Sequence, residues 1–298
     1  MKYALLLILL LAPLRALAAV SEWVDFTLHN GHVYLPIVVE GIETHVLLDS
    51  GSQVHAINKA FVGKHNLDLA TGAKMRIQGV HDTEDRTTYN NVEVGLFGSE
   101  FELDKVVEFN LGHHSSGMLL GAAFFNPFII QINYPEKKIR LLTRDSVDMN
   151  EASNVRSMDN RGNGMPIAEI TINGENFWFL VDTGSSSSIF MERRYASRAG
   201  LLDKVEGSSS SSGVNSTGFQ DVANADTVRF GPFEIADVKV SFPAPGETTN
   251  LESQFSETRS RIKGKRIVGI IGYGLFQHFL LTMDYKSGKI HVSLPPEK

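Results

Sequence analysis

The five residues Val181-Asp182-Thr183-Gly184-Ser185 recur, type for type, as Leu48-Asp49-Ser50-Gly51-Ser52, and each copy closes an apolar run. An apolar run of that length reads as a buried strand. A carboxylate at the end of such a strand costs free energy unless hydrogen bonds satisfy it. Gly51 and Gly184 let backbone N–H groups approach the acid closely, and the flanking hydroxyls add donors. A single Asp-Ser/Thr-Gly arises by chance in roughly one chain in ten of this length and usually marks a turn. Two copies, each at the same place in a repeat, are a different matter.

The repeat extends well beyond the acids. Gly41 precedes Asp49 by eight residues, and Gly174 precedes Asp182 by the same number. Gly79-Val80 is echoed by Gly213-Val214. Further on, Gly121, Phe125, Phe128, Tyr134, Lys138 and Ile139 correspond at one constant offset to Gly272, Phe276, Phe279, Tyr285, Lys289 and Ile290, with Asn133 meeting Asp284. That offset exceeds the one at the acids, so the second half carries an insertion, expected in polar loops at Ser208 to Ser212 or Gly246 to Lys265. Alternating apolar runs separated by Gly, Pro and Asn punctuation predict an all-β chain in two similar β-barrel-like lobes, related by a pseudo-twofold axis with a central cleft. The boundaries follow: residues 1–18 a signal peptide, 19–143 the first lobe, 144–164 a polar linker, and 165–298 the second lobe. Asp49 and Asp182 would then meet at the bottom of the cleft.

The 298 residues are 42% hydrophobic and 21% charged, enough to fill real cores. Lys2, the apolar stretch Ala4 to Leu14 and Ala16-Leu17-Ala18 predict an exported protein, periplasmic or secreted, with no membrane span once the leader is cleaved. Losing Lys2 and Arg15 with it takes the formal charge from −6 to −8, which argues against a nucleic-acid partner. There is no cysteine, so disulfides, thiolate nucleophiles and Cys-ligated zinc are excluded.

At the two acid motifs the chain resembles the aspartic peptidases of the pepsin and retropepsin type, and most of all bacterial retropepsin-like peptidases with both halves in one chain. Leu119-Leu120-Gly121 and Ile270-Ile271-Gly272 match the apolar-apolar-Gly element that packs beneath the active-site loop in that family. The resemblance covers roughly residues 24–143 and 165–296. It implies an acid-protease fold, Asp49 and Asp182 as the catalytic dyad, and flap hairpins closing over a peptide or protein substrate. The first flap is expected at residues 77–92, close to Tyr89. The halves lack the cysteines of secreted pepsins, and no propeptide is evident before Trp23.

Two carboxylates in contact cannot both ionise near neutral pH and share one proton, as is known for the aspartic peptidases. One serves as general base toward water and the other as general acid toward the peptide carbonyl, so no metal or cofactor is expected. Ser52 and Ser185 are expected to donate from their hydroxyls to the carboxylates and lower the pair's titration. Ser50 and Thr183 are expected to tie the two loops together. The predicted activity is that of a monomeric aspartic endopeptidase. A catalytically silent peptide-binding module with the same fold is the alternative. A glycosidase is disfavoured because its acids stand farther apart. His113-His114 read as a loop pair, since adjacent strand positions face opposite ways. Asp82, Glu84 and Asp85 read as a solvated hairpin tip. Ser185 to Ser188 lack the Gly-x-Ser-x-Gly elbow of a serine nucleophile, and Asp284 reads as a turn residue.

Overall fold

The amphipathic alternation of the chain resolves into strands joined by short turns. A computed structural model describes residues 19–78, 83–158, 165–212, 217–247 and 265–295. The fold is all-β. Helices are brief, the longest among the described residues being Lys59–His65, capped by Asn58 at one end and by Asn66 in the left-handed region at the other. The predicted signal peptide, the Gly79-Val80 and Gly213-Val214 echo, and most of the stretch from Gly246 to Lys265 lie outside the described residues.

Three sheets carry the architecture. A ten-stranded sheet is built wholly from the first half, and an eight-stranded sheet from the second half together with Ser157–Met158 of the expected linker. The third, five-stranded, takes strands from both: Val24–Asp25, Lys138–Leu142 and Ile129–Asn133 on one side, Leu280–Asp284 and Lys289–Ser293 on the other. At its centre Ile129 pairs with Asp284, Ile130 with Met283, and Gln131 with Thr282. Gln131 and Thr282 are equivalent positions of the repeat, so the pairing has the register that a twofold axis between the halves requires. The Gln131 side-chain amide donates to the Thr282 hydroxyl across that point at 3.0 Å.

Strands buried on both faces account for the unbroken apolar runs ahead of each acid. Val46 and Leu48 are fully buried, as are Phe179 and Val181. Removing a Val, Leu or Phe side chain of this kind from water stabilises by about 1.5–3 kcal/mol. Two polar segments are more ordered than their composition suggests. Ser208 to Ser212, expected as a loop insertion, belong to the strand Val205–Ser212, which pairs antiparallel with Thr217–Phe230. Its backbone ladder supplies the order that serine side chains do not. The segment from residue 144 contains the helix Met149–Ala152 and the strand Ser157–Met158. Met149 and Val155 are buried there, and Asn154 bonds both edge groups of Val292. Within the expected polar tip, Thr83–Arg86 is a strand pairing with Met75–Gln78.

Candidate active site

Each acid stands where two parallel strands end side by side. The strand Ile42–Leu48 runs beside Ser116–Leu120, and Glu175–Val181 beside Ile267–Ile271. The Asp49 N–H donates to Leu120 O at 3.0 Å, and the Asp182 N–H to Ile271 O at 3.0 Å. The chain then turns sharply. Beneath the first turn Gly121 packs so closely that a Cβ would stand 2.7 Å from Ser52 O. Gly272 does the same beneath the second, 2.8 Å from Ser187 O.

The hydroxyls of Ser50 and Thr183 lock the two turns together. The Ser50 N–H donates to Thr183 Oγ1 at 3.1 Å, and the Thr183 N–H donates to Ser50 Oγ at 2.8 Å. The Ser50 hydroxyl in turn donates to Val181 O at 3.0 Å, and the Thr183 hydroxyl to Leu48 O at 3.2 Å. Four bonds thus form a reciprocal knot, and both side chains are fully buried. A hydroxyl at these positions satisfies a backbone donor and a backbone acceptor of the opposite loop at once, so an apolar residue would orphan both.

The knot brings the carboxylates into contact. The Gly51 N–H reaches Asp49 Oδ1 at 2.9 Å and Asp182 Oδ1 at 3.1 Å. Asp49 also accepts from the Ser52 N–H at 2.9 Å, and Asp182 from the Gly184 N–H at 2.8 Å. Each glycine lies against the acid of the other half. A Cβ on Gly51 would stand 2.5 Å from Asp182 Cγ, and one on Gly184 would collide with the Asp49 carboxyl. Surrounding protein desolvates both acids and pushes their titration up. Asp182 rises well above the usual carboxylate range, because burial is joined by the charge of Asp49. For Asp49, burial is opposed by hydrogen bonds from Asp182 and from the Gly51 and Ser52 N–H groups.

Two expected donors act differently. The Ser52 hydroxyl donates to Val54 O at 2.9 Å, and its backbone N–H bonds the acid instead. No hydrogen bond joins the Ser185 hydroxyl to Asp182 among the described residues; the Ser185 N–H bonds the Asp182 main-chain oxygen at 3.3 Å. A tight turn aims successive N–H groups inward, which leaves the Ser52 hydroxyl free to satisfy its own loop. The expected lowering of the pair's titration is replaced by the upward shift from burial.

Neighbours that the motifs do not reveal complete the surroundings. His32 faces the pair: burial pushes its imidazole down, while the Asp49 charge and the Gly184 carbonyl pull it back up. His55 accepts from the Gly121 N–H through Nδ1 at 3.3 Å, and burial pushes it down to about 4. Tyr134 and Tyr285 are buried and lie within charge range of the acids. Their equivalence in the repeat was the available signal. His32 and His55 have no such marker. Elsewhere, the Asp284 carboxylate accepts from the Lys286 N–H and the Ser287 hydroxyl of its turn and pairs with Arg144. His113 and His114 pack ring on ring at 4.0 Å. Glu84 pairs with Arg86, and Asp82 lies outside the described residues.

Residues 168–275 match the aspartyl protease family. The matched segment holds Asp182, its loop and Ile270-Ile271-Gly272, so the second half is similar to retropepsin-like aspartic peptidases. The class of activity that goes with the match is peptide-bond hydrolysis of the aspartyl type. No curated protein matches the chain.

Proposed function

We propose that this chain is an exported, monomeric aspartic endopeptidase in which Asp49 and Asp182 activate a water molecule against a peptide bond. One observation carries the reading: a single N–H, that of Gly51, bonds both carboxylates. Acids held that close share a proton, and the shared titration belongs to the pair. Burial and the neighbouring charge raise the pair's titration, so one acid is held ionised as the general base and the other protonated as the general acid. The ionised acid takes a proton from water as it attacks the carbonyl carbon, and the protonated one gives its proton to the carbonyl oxygen. The gem-diol collapses with proton transfer to the leaving nitrogen, and the pair is reset without a covalent intermediate. An extended peptide or protein segment is the substrate, lying between the hairpin of Met75–Gln78 with Thr83–Arg86 and that of Val205–Ser212 with Thr217–Phe230. The leader at residues 1–18 supports a periplasmic or secreted location.

The test is digestion of a mixed peptide library from acid to neutral pH, with and without a statine inhibitor. Cleavage by the wild type is expected to fall at least about 10³-fold in Asp49→Asn, within the range of acid–base contributions, and to be blocked by statine. Cleavage that survives both would remove the assignment. Peptide binding without cleavage would favour the silent binding module.

A further inference from the structure

We propose that Tyr134 and Tyr285 are positioning residues for the Asp49–Asp182 pair, acting through their buried phenol O–H groups and, for Tyr285, through Ser50. The inference rests on that pair being the reacting groups.

The two tyrosines occupy one position of the repeat, and they exchange partners across the twofold. Tyr134, from the first half, packs its ring 6.1 Å from Phe276 of the second. Tyr285, from the second half, stacks 5.0 Å from Phe125 of the first. Phe125 and Phe276 are themselves equivalent, so the four rings form a crossed set at the joint. Packing alone is served by phenylalanine there, as Phe125, Phe276 and Phe279 demonstrate. The two equivalent sites instead carry hydroxyls, with residue exposures of only 2% and 1%. Among the described residues neither hydroxyl makes a well-aligned hydrogen bond, with Ser50 beside that of Tyr285. A buried polar group left so is destabilising, and the chain bears that cost at both positions.

The polar groups around these hydroxyls belong to the site. Tyr285 lies beside Ser50, and both carboxylates and Tyr134 act on it; Tyr134 lies within charge range of Asp182, with its ring 5.8 Å from that of Tyr273. His32 is the further titratable group, facing Asp49 from the strand His32–Val39. Ser50 Oγ already donates to Val181 O and accepts from the Thr183 N–H. It has one lone pair left, to which the Tyr285 O–H beside it can donate. Burial pushes both phenols far above their ordinary range, so they stay neutral at any pH at which carboxylates titrate. A neutral O–H turns its dipole toward negative charge without competing for the proton. Tyr134, whose O–H is committed to no partner among the described residues, therefore favours the ionised state of the dyad directly, and Tyr285 does so through Ser50.

The experiment follows the dyad by ¹³C NMR of labelled aspartate carboxyls in the wild type, Tyr285→Phe and Tyr134→Phe, with kcat/KM measured across the same pH range. Phe125→Leu and Phe276→Leu serve as packing controls that keep both hydroxyls. Each tyrosine variant is expected to raise the midpoint of first ionisation by about half to one pH unit, one unit being a tenfold change in proton affinity. The acid limb of kcat/KM moves with it and KM stays unchanged. The packing controls lower the unfolding temperature and leave the midpoint in place. A midpoint unmoved in both tyrosine variants, or moved equally by the packing controls, overturns the proposal. A midpoint that moves in a protein that cleaves nothing sustains the positioning role and defeats the peptidase reading. If Tyr285→Phe fails to fold, Tyr134→Phe alone decides by the same criterion.

Discussion

The two halves present nearly the same loop and give their acids unequal surroundings. In the first half, the Gly51 and Ser52 N–H groups both point at Asp49, and Gly51 also reaches Asp182. In the second, among the described residues, the Gly184 N–H alone of its own loop bonds the Asp182 carboxyl. The props differ as well. Gly121 beneath the first loop donates to the His55 ring, whereas Gly272 beneath the second donates to Ser188 O. One half therefore rests on a group that titrates and the other on a backbone carbonyl that does not. Motif identity fixes where a carboxylate stands, while burial, the other acid's charge and then the N–H groups aimed at it set how tightly it holds a proton.

The harshest way to break the symmetry is to add one methyl group. Gly51→Ala pushes a Cβ into the Asp182 carboxyl, and Gly184→Ala does the same to Asp49. Each is expected to remove peptide cleavage to background, at least about 10³-fold, since contact between the acids is lost. Residual activity in one variant alone, measured by active-site titration with statine, would show which half tolerates displacement.

Acid should loosen the first half before the second. His55 binds its proton at about 4 in the fold, against an ordinary value near 6.5. The unfolded chain thus binds more protons over that interval, and stability present above pH 6.5 is lost as pH falls toward 4, by about 3 kcal/mol. The raised carboxylates act in the opposite sense, gaining stability as they protonate. Hydrogen exchange at pH 7 and pH 4 should show protection falling first around residues 52–57 and 119–121. His55→Gln should flatten the difference, and equal loss in both halves would refute it.

The knot offers a third comparison. Ser50→Ala and Thr183→Ala each orphan a buried N–H and a buried carbonyl, at a cost of about 1–3 kcal/mol by urea unfolding. The four bonds divide two to each hydroxyl with none shared, so the double variant should cost about the sum of the singles, and a departure from additivity measures coupling through the loops. The smallest effect is expected at Phe219, which is 66% exposed on the long second-half hairpin. Phe219→Ser should change stability by no more than about 0.5 kcal/mol, so any change in peptide preference there reads as substrate contact.

Much of this was legible in the sequence because burial and duplication leave marks. The all-β class follows from apolar runs and turn punctuation, and the pairing of Asp49 with Asp182 from their equivalence in the repeat. The apolar-apolar-Gly elements announced the props beneath the loops. What escaped was set by geometry without a compositional trace. Ser52 and Ser185 looked like donors by type, yet the turn delivers backbone N–H groups instead. Ser208 to Ser212 read as loop because serine has little strand preference, while a paired backbone needs none. His32 and His55 meet the site only through strand register. Tyr134 and Tyr285 were visible as a matched pair, but a periodic aromatic says core, and nothing in spacing shows that a hydroxyl faces an acid.

The Ile129–Asn133 and Leu280–Asp284 seam has a consequence for anyone cutting this chain in two. Each strand there is hydrogen-bonded to its own likeness, at a register that reads the same from either side. A fragment ending near residue 143 would expose an edge already shaped to accept a second copy of itself, and so would one beginning near 165. The interface that joins the two halves is therefore also the one through which separated pieces would self-associate, by the same ladder that holds the intact molecule closed.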